Sequence, residues 1–197
     1  MTRTGIFGGS FNPVHFGHVR LAQALVERKW VDEVWLMVSP QNPLKAQADL
    51  ADEHVRLELA RLAVADVSGV GASDFEFQLP RPSYTWRTLE RLEEAFPDRS
   101  FTLIMGADNW RIFPQWRRSE DILFRYSIIV YPRGGSAVDE LALPPNVRLF
   151  HAPLFPWIST VIRSRIRQGE SISGMVPPAV AKAIAQKRLY GYCRKEV

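Results

Sequence analysis

Apolar positions along this chain follow two alternating rhythms. Residues 4–8 form a short apolar run that ends in glycine, which predicts a strand. Residues 19–28 then place Leu21, Ala22, Leu25 and Val26 on one stripe at helical spacing. The stretch "EVWLMVSP" (33–40) is continuously apolar and stopped by proline, the pattern of a strand buried on both faces. Residues 52–65 return to helical spacing through Val55, Leu59, Leu62 and Ala63. "FEFQL" (75–79) alternates over strand length and predicts a short peripheral strand. Further on, helices are expected over 85–96, ending at 120–124, over 160–168 and over 178–186, and strands over 101–105, 126–131 and 147–150. The polar stretch "NPLKAQADLA" and residues 133–146 are expected to be surface loops.

Strands and helices in alternation imply βαβ crossovers. The expected architecture is an α/β, Rossmann-like open sheet, mostly parallel, with helices on both faces. One domain is expected over residues 1–197, with the helices from about 159 onward belonging to it.

Composition adds little to this but excludes several classes. An apolar share of 46% against 23% charged residues is enough to build a packed core, so disorder is excluded. The net charge of +4 suits anionic small molecules as well as nucleic acid, and chooses neither. Cys193 is the one cysteine, so no internal disulfide can form, and no zinc-type Cys/His spacing occurs. No apolar run reaches membrane-spanning length, and the first residues lack the layout of a signal peptide. A cytoplasmic protein without a membrane partner is the expectation.

The chemistry is concentrated after the first strand, in "GGSFNPVHFGH". In open α/β sheets ligands bind beyond the carboxyl ends of the strands, where this loop falls. Gly8 and Gly9 permit close approach of a ligand, and a following helix offers unpaired N–H groups and partial positive charge to phosphate. His15 and His18, three apart around the first helical turn, are able to address one spot. The loop is neither a dinucleotide Gly-x-Gly-x-x-Gly fingerprint nor a P-loop, since no Gly-Lys-Ser/Thr follows.

These residues resemble the Gly-x-Phe-Asp/Asn-Pro-x-His-x-Gly-His signature of the nucleotidyltransferase superfamily, with Asn12 where many members carry Asp. Later segments resemble the nicotinate mononucleotide adenylyltransferases in particular, and in the same order. They are "RPSYTWRTLERL", "LIMGADNWRIFPQW", "ISTVIRSRI" and "MVPPAVAKAIAQKRLYG". Arg87 departs from the usual Asp of the first of these, and the Ile158-Ser159-Thr160 element is one residue short.

The resemblance implies adenylyl transfer from ATP to nicotinate mononucleotide, giving nicotinate adenine dinucleotide and pyrophosphate in NAD biosynthesis. His15, His18, Lys45 and Arg163 would carry the catalysis by holding and neutralising phosphates. Gly8, Gly9, Ser10, Phe11, Gly106, Asp108, Ile158, Ser159 and Thr160 would complete the ATP site with the histidines and Arg163. Asn12, Lys45, Ser83, Tyr84, Thr85 and Trp116 would take the mononucleotide, with Trp116 stacking on the pyridine ring. Arg163 is read at the start of a helix, where an anion would offset its conflict with the dipole. Lys45 is read on a loop that orders over bound nucleotide. Mg²⁺ would arrive on the ATP phosphates without a dedicated protein ligand.

Two rivals stay open at this point. Another adenylyl- or cytidylyltransferase, such as phosphopantetheine adenylyltransferase, shares the opening loop but not the Ser-Tyr-Thr element. A non-catalytic nucleotide-binding or nucleic-acid-binding α/β protein would release no pyrophosphate from ATP and a mononucleotide.

Overall fold

Period-two alternation in the strands divides the molecule into two apolar layers. The computed structural model describes residues 1–40, 50–132, 138–151 and 156–192. Among these, six strands form one sheet: β1 (Thr2–Gly9), β2 (Glu33–Val38), β3 (Val70–Ser73), β4 (Arg99–Gly106), β5 (Ser127–Tyr131) and β6 (Val147–Leu149). Every neighbouring pair is parallel, in the order β3-β2-β1-β4-β5-β6. Seven helices connect or follow them: α1 (Phe16–Glu27), α2 (Glu53–Val64), α3 (Thr85–Ala95), α4 (Ala107–Ile112), α5 (Ser119–Arg125), α6 (Ser159–Arg167) and α7 (Pro178–Gln186).

Phe7, Leu36, Ile104 and Ile129 face one side of the sheet. There they pack with Leu25 of α1, Leu59 of α2, Ile162 of α6 and Ile184 of α7. Their chain neighbours Ile6, Met37, Leu103 and Ile128 face the other side, with Leu89 and Leu92 of α3 and Ile122 of α5. The near-continuous apolar run of β2 is thus explained, because both of its faces are covered. The order of the strands also reverses around β1 and β4, so a crevice opens beyond their carboxyl ends. Gly8 and Gly9 end one of these strands and Gly106 ends the other.

Several expectations require correction. Residues 75–79 are not a strand: Phe75–Gln78 is a 3₁₀ turn. Phe75 packs into the layer of α3 while Phe77 packs into that of α2, which the alternation of aromatics had mimicked. The third strand is instead β3, a weakly apolar "VGAS" that gains order by pairing with β2. The short α4 was not anticipated, and α1 starts at Phe16, three residues earlier than the apolar stripe implied.

Candidate active site

The loop between β1 and α1 is shaped by Phe11. Its φ of 45° lies in the left-handed region, and its ring is buried edge-on to Phe7 at 5.8 Å between centroids. A Cβ at Gly9 would stand 3.1 Å from that ring, so Gly9 makes room for Phe11 at the edge of the cleft. Gly8 differs. A Cβ there would meet nothing within 4 Å, and the residue borders a cleft.

His15 is the N-cap of α1 and His18 its third residue. The His15 backbone N–H donates to His18 Nδ1 at 3.2 Å, and the two rings stack at 3.7 Å between centroids. Phe11 and Phe7 bracket the His18 ring at 5.0 and 5.9 Å. With Nδ1 accepting, the neutral imidazole carries its proton on Nε2. The ring is therefore a donor of fixed direction, held before any ligand arrives.

Two other elements pin the loop. From α6, Arg163 Nη1 donates to the Asn12 carbonyl at 2.9 Å and Ser159 Oγ donates to the Pro13 carbonyl at 3.1 Å. Arg163 is the fifth residue of α6, not at its start, because the helix begins at Ser159. Its conflict with the dipole is accordingly weaker than the sequence implied. From the other side, Asn12 Oδ1 accepts from the Ala51 N–H at 3.1 Å, so that oxygen serves the loop's attachment to the segment before α2.

Beneath these contacts lies Arg56 of α2, fully buried. Its guanidinium donates to the carbonyls of Ala51 at 2.8 Å, Ser10 at 2.7 Å, Ser39 at 2.8 Å and Pro40 at 3.1 Å. Burial lowers its pKa, but a guanidinium stays charged. Bonded to carbonyls, it adds positive potential beneath the opening loop. Nothing in the sequence reading singled it out.

A cleft of about 340 Å³ runs from Gly8 and Gly9 to Ser83, Tyr84 and Thr85 at the start of α3, with Trp116 in its wall. Gly8 and Gly9, which lead into the opening loop, and the three Ser-Tyr-Thr residues, some 75 positions apart, thus share one space. Ser83 Oγ does not address the cavity as a donor; it donates to Glu76 Oε2 at 3.2 Å. Thr88 Oγ1 donates to Glu76 Oε1 at 2.9 Å. Glu76 also borders the cleft and is 7% exposed. Burial pushes its carboxyl above the ordinary carboxylate range, against the opposing effect of hydroxyls from Thr88, Ser39 and Ser83.

The raised value has a consequence for stability. Folding takes up protons at Glu76, so its contribution is full below the ordinary carboxylate pKa and is lost as pH rises through the folded-state value. Glu76→Gln should flatten the fall of Tm with pH above that ordinary range. Parallel Tm-against-pH curves for the two proteins would refute the assignment.

Other expected site residues are placed less centrally. Asp108 is exposed in the first turn of α4, Thr160 is exposed in α6, and Ile158 is its half-exposed N-cap. Lys45 and its loop lie outside the described residues. Arg87 stacks over Trp86 at 5.3 Å instead of entering the cleft. Arg117, not anticipated, borders the cleft and lies 5.2 Å over the Tyr84 ring. The donor set of the opening loop consists of imidazoles, a guanidinium and N–H groups. It suits phosphate oxygens and does not form a cage for a hard cation such as Mg²⁺.

Comparison with known proteins agrees with this arrangement. The family model described as cytidylyltransferase-like matches residues 6–169. A curated protein of Bacteroides fragilis, named "Probable nicotinate-nucleotide adenylyltransferase", is 50% identical over 94% of this chain and 92% of its own. One of the same name from Bacteroides thetaiotaomicron is 48% identical over 93% and 91%. The solved structure of the Plasmodium falciparum nicotinic acid mononucleotide adenylyltransferase complexed with NaAD superposes with a TM-score of 0.83. It covers 98% of this chain and 99% of that one, and at 20% identity it speaks to the fold alone. A parallel sheet with its phosphate-suited loop at the switch point, matched over most of its length by such relatives, places the chain in the cytidylyltransferase-like family, among the nicotinate-nucleotide adenylyltransferases.

Proposed function

We infer that the chain joins the AMP moiety of ATP to nicotinate mononucleotide, forming nicotinate adenine dinucleotide and pyrophosphate. The observation that carries this reading is the single cleft linking Gly8 and Gly9 to Ser83, Tyr84, Thr85 and Trp116. One end suits phosphates and the other suits a flat anionic ring. In this reading a phosphate oxygen of the mononucleotide attacks the α-phosphorus of ATP, and the bond from that phosphorus to the β-bridging oxygen breaks. The nucleophile is already an anion, so the protein's work is positioning and charge neutralisation.

His18 then donates from Nε2 to the phosphate oxygens on which charge accumulates, with His15 stacked behind it. Arg163 and, by the resemblance, Lys45 hold the triphosphate. Ser10, Phe11, Gly106, Asp108 and Ile158 to Thr160 belong to the ATP side, and Asn12 shapes the loop. Mg²⁺ would ride on the triphosphate as its counter-ion, and no step here depends on a protein ligand to it. The partners of this reading are ATP and the mononucleotide, met in the cytoplasm; neither nucleic acid nor a membrane enters it. Among the described residues no helix is long and apolar enough to cross a membrane.

The acid rather than the amide is the acceptor, for a physical reason. No side chain caps α3 and no acidic residue stands in its first turn, so its leading N–H groups and partial positive charge remain for a carboxylate. An amide would set its own N–H₂ against those donors. Each such mismatch costs about 1–3 kcal/mol, so roughly a tenfold to several hundredfold preference is expected. Pyrophosphate release with ATP and each mononucleotide in turn gives the two kcat/KM values. A ratio near one, or one favouring the amide, would refute the pocket assignment, and no release with either would refute the activity.

A further inference from the structure

Glu76 is a costly residue where it stands. A carboxyl buried at the edge of a cleft that receives an anion loses hydration and repels its neighbour, and an apolar residue would fill the same volume without either penalty. The two phenylalanines beside it enter opposite apolar layers, which directs the Glu76 side chain toward the cleft. There it accepts from two hydroxyls, Ser83 just before α3 and Thr88 in α3, and Ser39, just beyond β2, lines the same cleft.

We propose that Glu76 is a positioning residue for the mononucleotide end of the cleft, tying the start of α3 to the 3₁₀ turn after β3 and setting which way the Ser83 hydroxyl points. The proposal rests on the reading of this end as the mononucleotide site. Its physical content is a division of labour. The proton of Ser83 is spent on Glu76, so its lone pairs are what the cleft presents. Those acceptors suit a hydroxyl-bearing part of a nucleotide, such as its ribose. The N–H groups of α3, kept in place by the Thr88 bond, are the donors for the carboxylate. Donors and acceptors are thereby sorted before the ligand arrives, which lowers the ordering cost of binding.

Glu76→Gln tests this with almost no change of shape. A glutamine N–H₂ must donate, so at least one hydroxyl has to reverse and turn its proton toward the cleft. The KM for nicotinate mononucleotide should rise by about tenfold or more, as expected when a buried polar pair is mismatched. The KM for ATP should stay within about twofold, since the hydroxyls that bond Glu76 belong to the start of α3, and kcat should change little. Calorimetric titration of the mononucleotide into both proteins gives the same comparison without turnover. Glu76→Ala, which removes both ties, should weaken the mononucleotide further.

A mononucleotide KM unchanged in Glu76→Gln would overturn the proposal. So would a joint rise of both KM values with a lowered Tm, because that is the mark of general loosening. A wild-type protein that binds the mononucleotide without turning it over would overturn the assigned activity, and the affinity comparison would still decide the role of Glu76.

Discussion

His18→Ala is expected to lower kcat by roughly a hundredfold or more, the loss typical when one preorganised donor to a developing charge is removed. The size follows from how the ring is held. Its Nδ1 already accepts from the His15 N–H, and Phe11, Phe7 and His15 surround it, so Nε2 is aimed without further ordering. Alanine removes that donor and nothing replaces it. The fold should survive, because the His15 N–H bond at the N-cap of α1 contributes only about 0.5–1.5 kcal/mol. Steady-state pyrophosphate release, read beside a thermal melt, separates the two effects. Near-normal turnover in a folded variant would refute the role.

Arg56→Met is expected to remove roughly 3 kcal/mol or more of stability, a large share of what a domain of this size has. Four carbonyls, of Ser10, Ser39, Pro40 and Ala51, accept from this one side chain, which is itself fully buried. Methionine fills most of the volume but donates nothing, so the buried Pro40 carbonyl and the three half-buried ones lose their donor. Arg56→Lys should recover only part of the loss, because a single ammonium cannot span four acceptors in different directions. Urea denaturation measures it through the midpoint, and a loss under about 1 kcal/mol would show that the carbonyls find other partners.

Much of this molecule was legible in order of residues. The apolar runs of β1, β2, β4 and β5 and the helical stripes of α1, α2 and α3 follow from local spacing, because each element buries what its own periodicity puts on one face. The opening loop was legible for the same reason. Its glycines, proline and histidines lie within eleven residues, so their contacts are fixed by turn geometry and one helical turn. β3 was not legible, since "VGAS" has no strong propensity and exists as a strand only beside β2. "FEFQ" misled because two phenylalanines at alternate positions can serve two faces of a sheet or two separate layers, and the sequence alone does not distinguish these.

What the chain order settled by itself, then, was the βαβ plan and the identity of the phosphate-suited loop, both consequences of contacts between near neighbours. The union of that loop with Ser83, Tyr84, Thr85 and Trp116 was decided by the tertiary structure, through the parallel sheet that brings the carboxyl ends of its strands to one edge. So were the roles of Arg56 and Glu76. Arg56 reaches Ser10 across 46 positions, and Glu76 accepts hydroxyls from Ser83 and Thr88, 7 and 12 positions on. A buried charge is identified by its partners, and partners far apart in sequence become visible only when packing has removed the water between them.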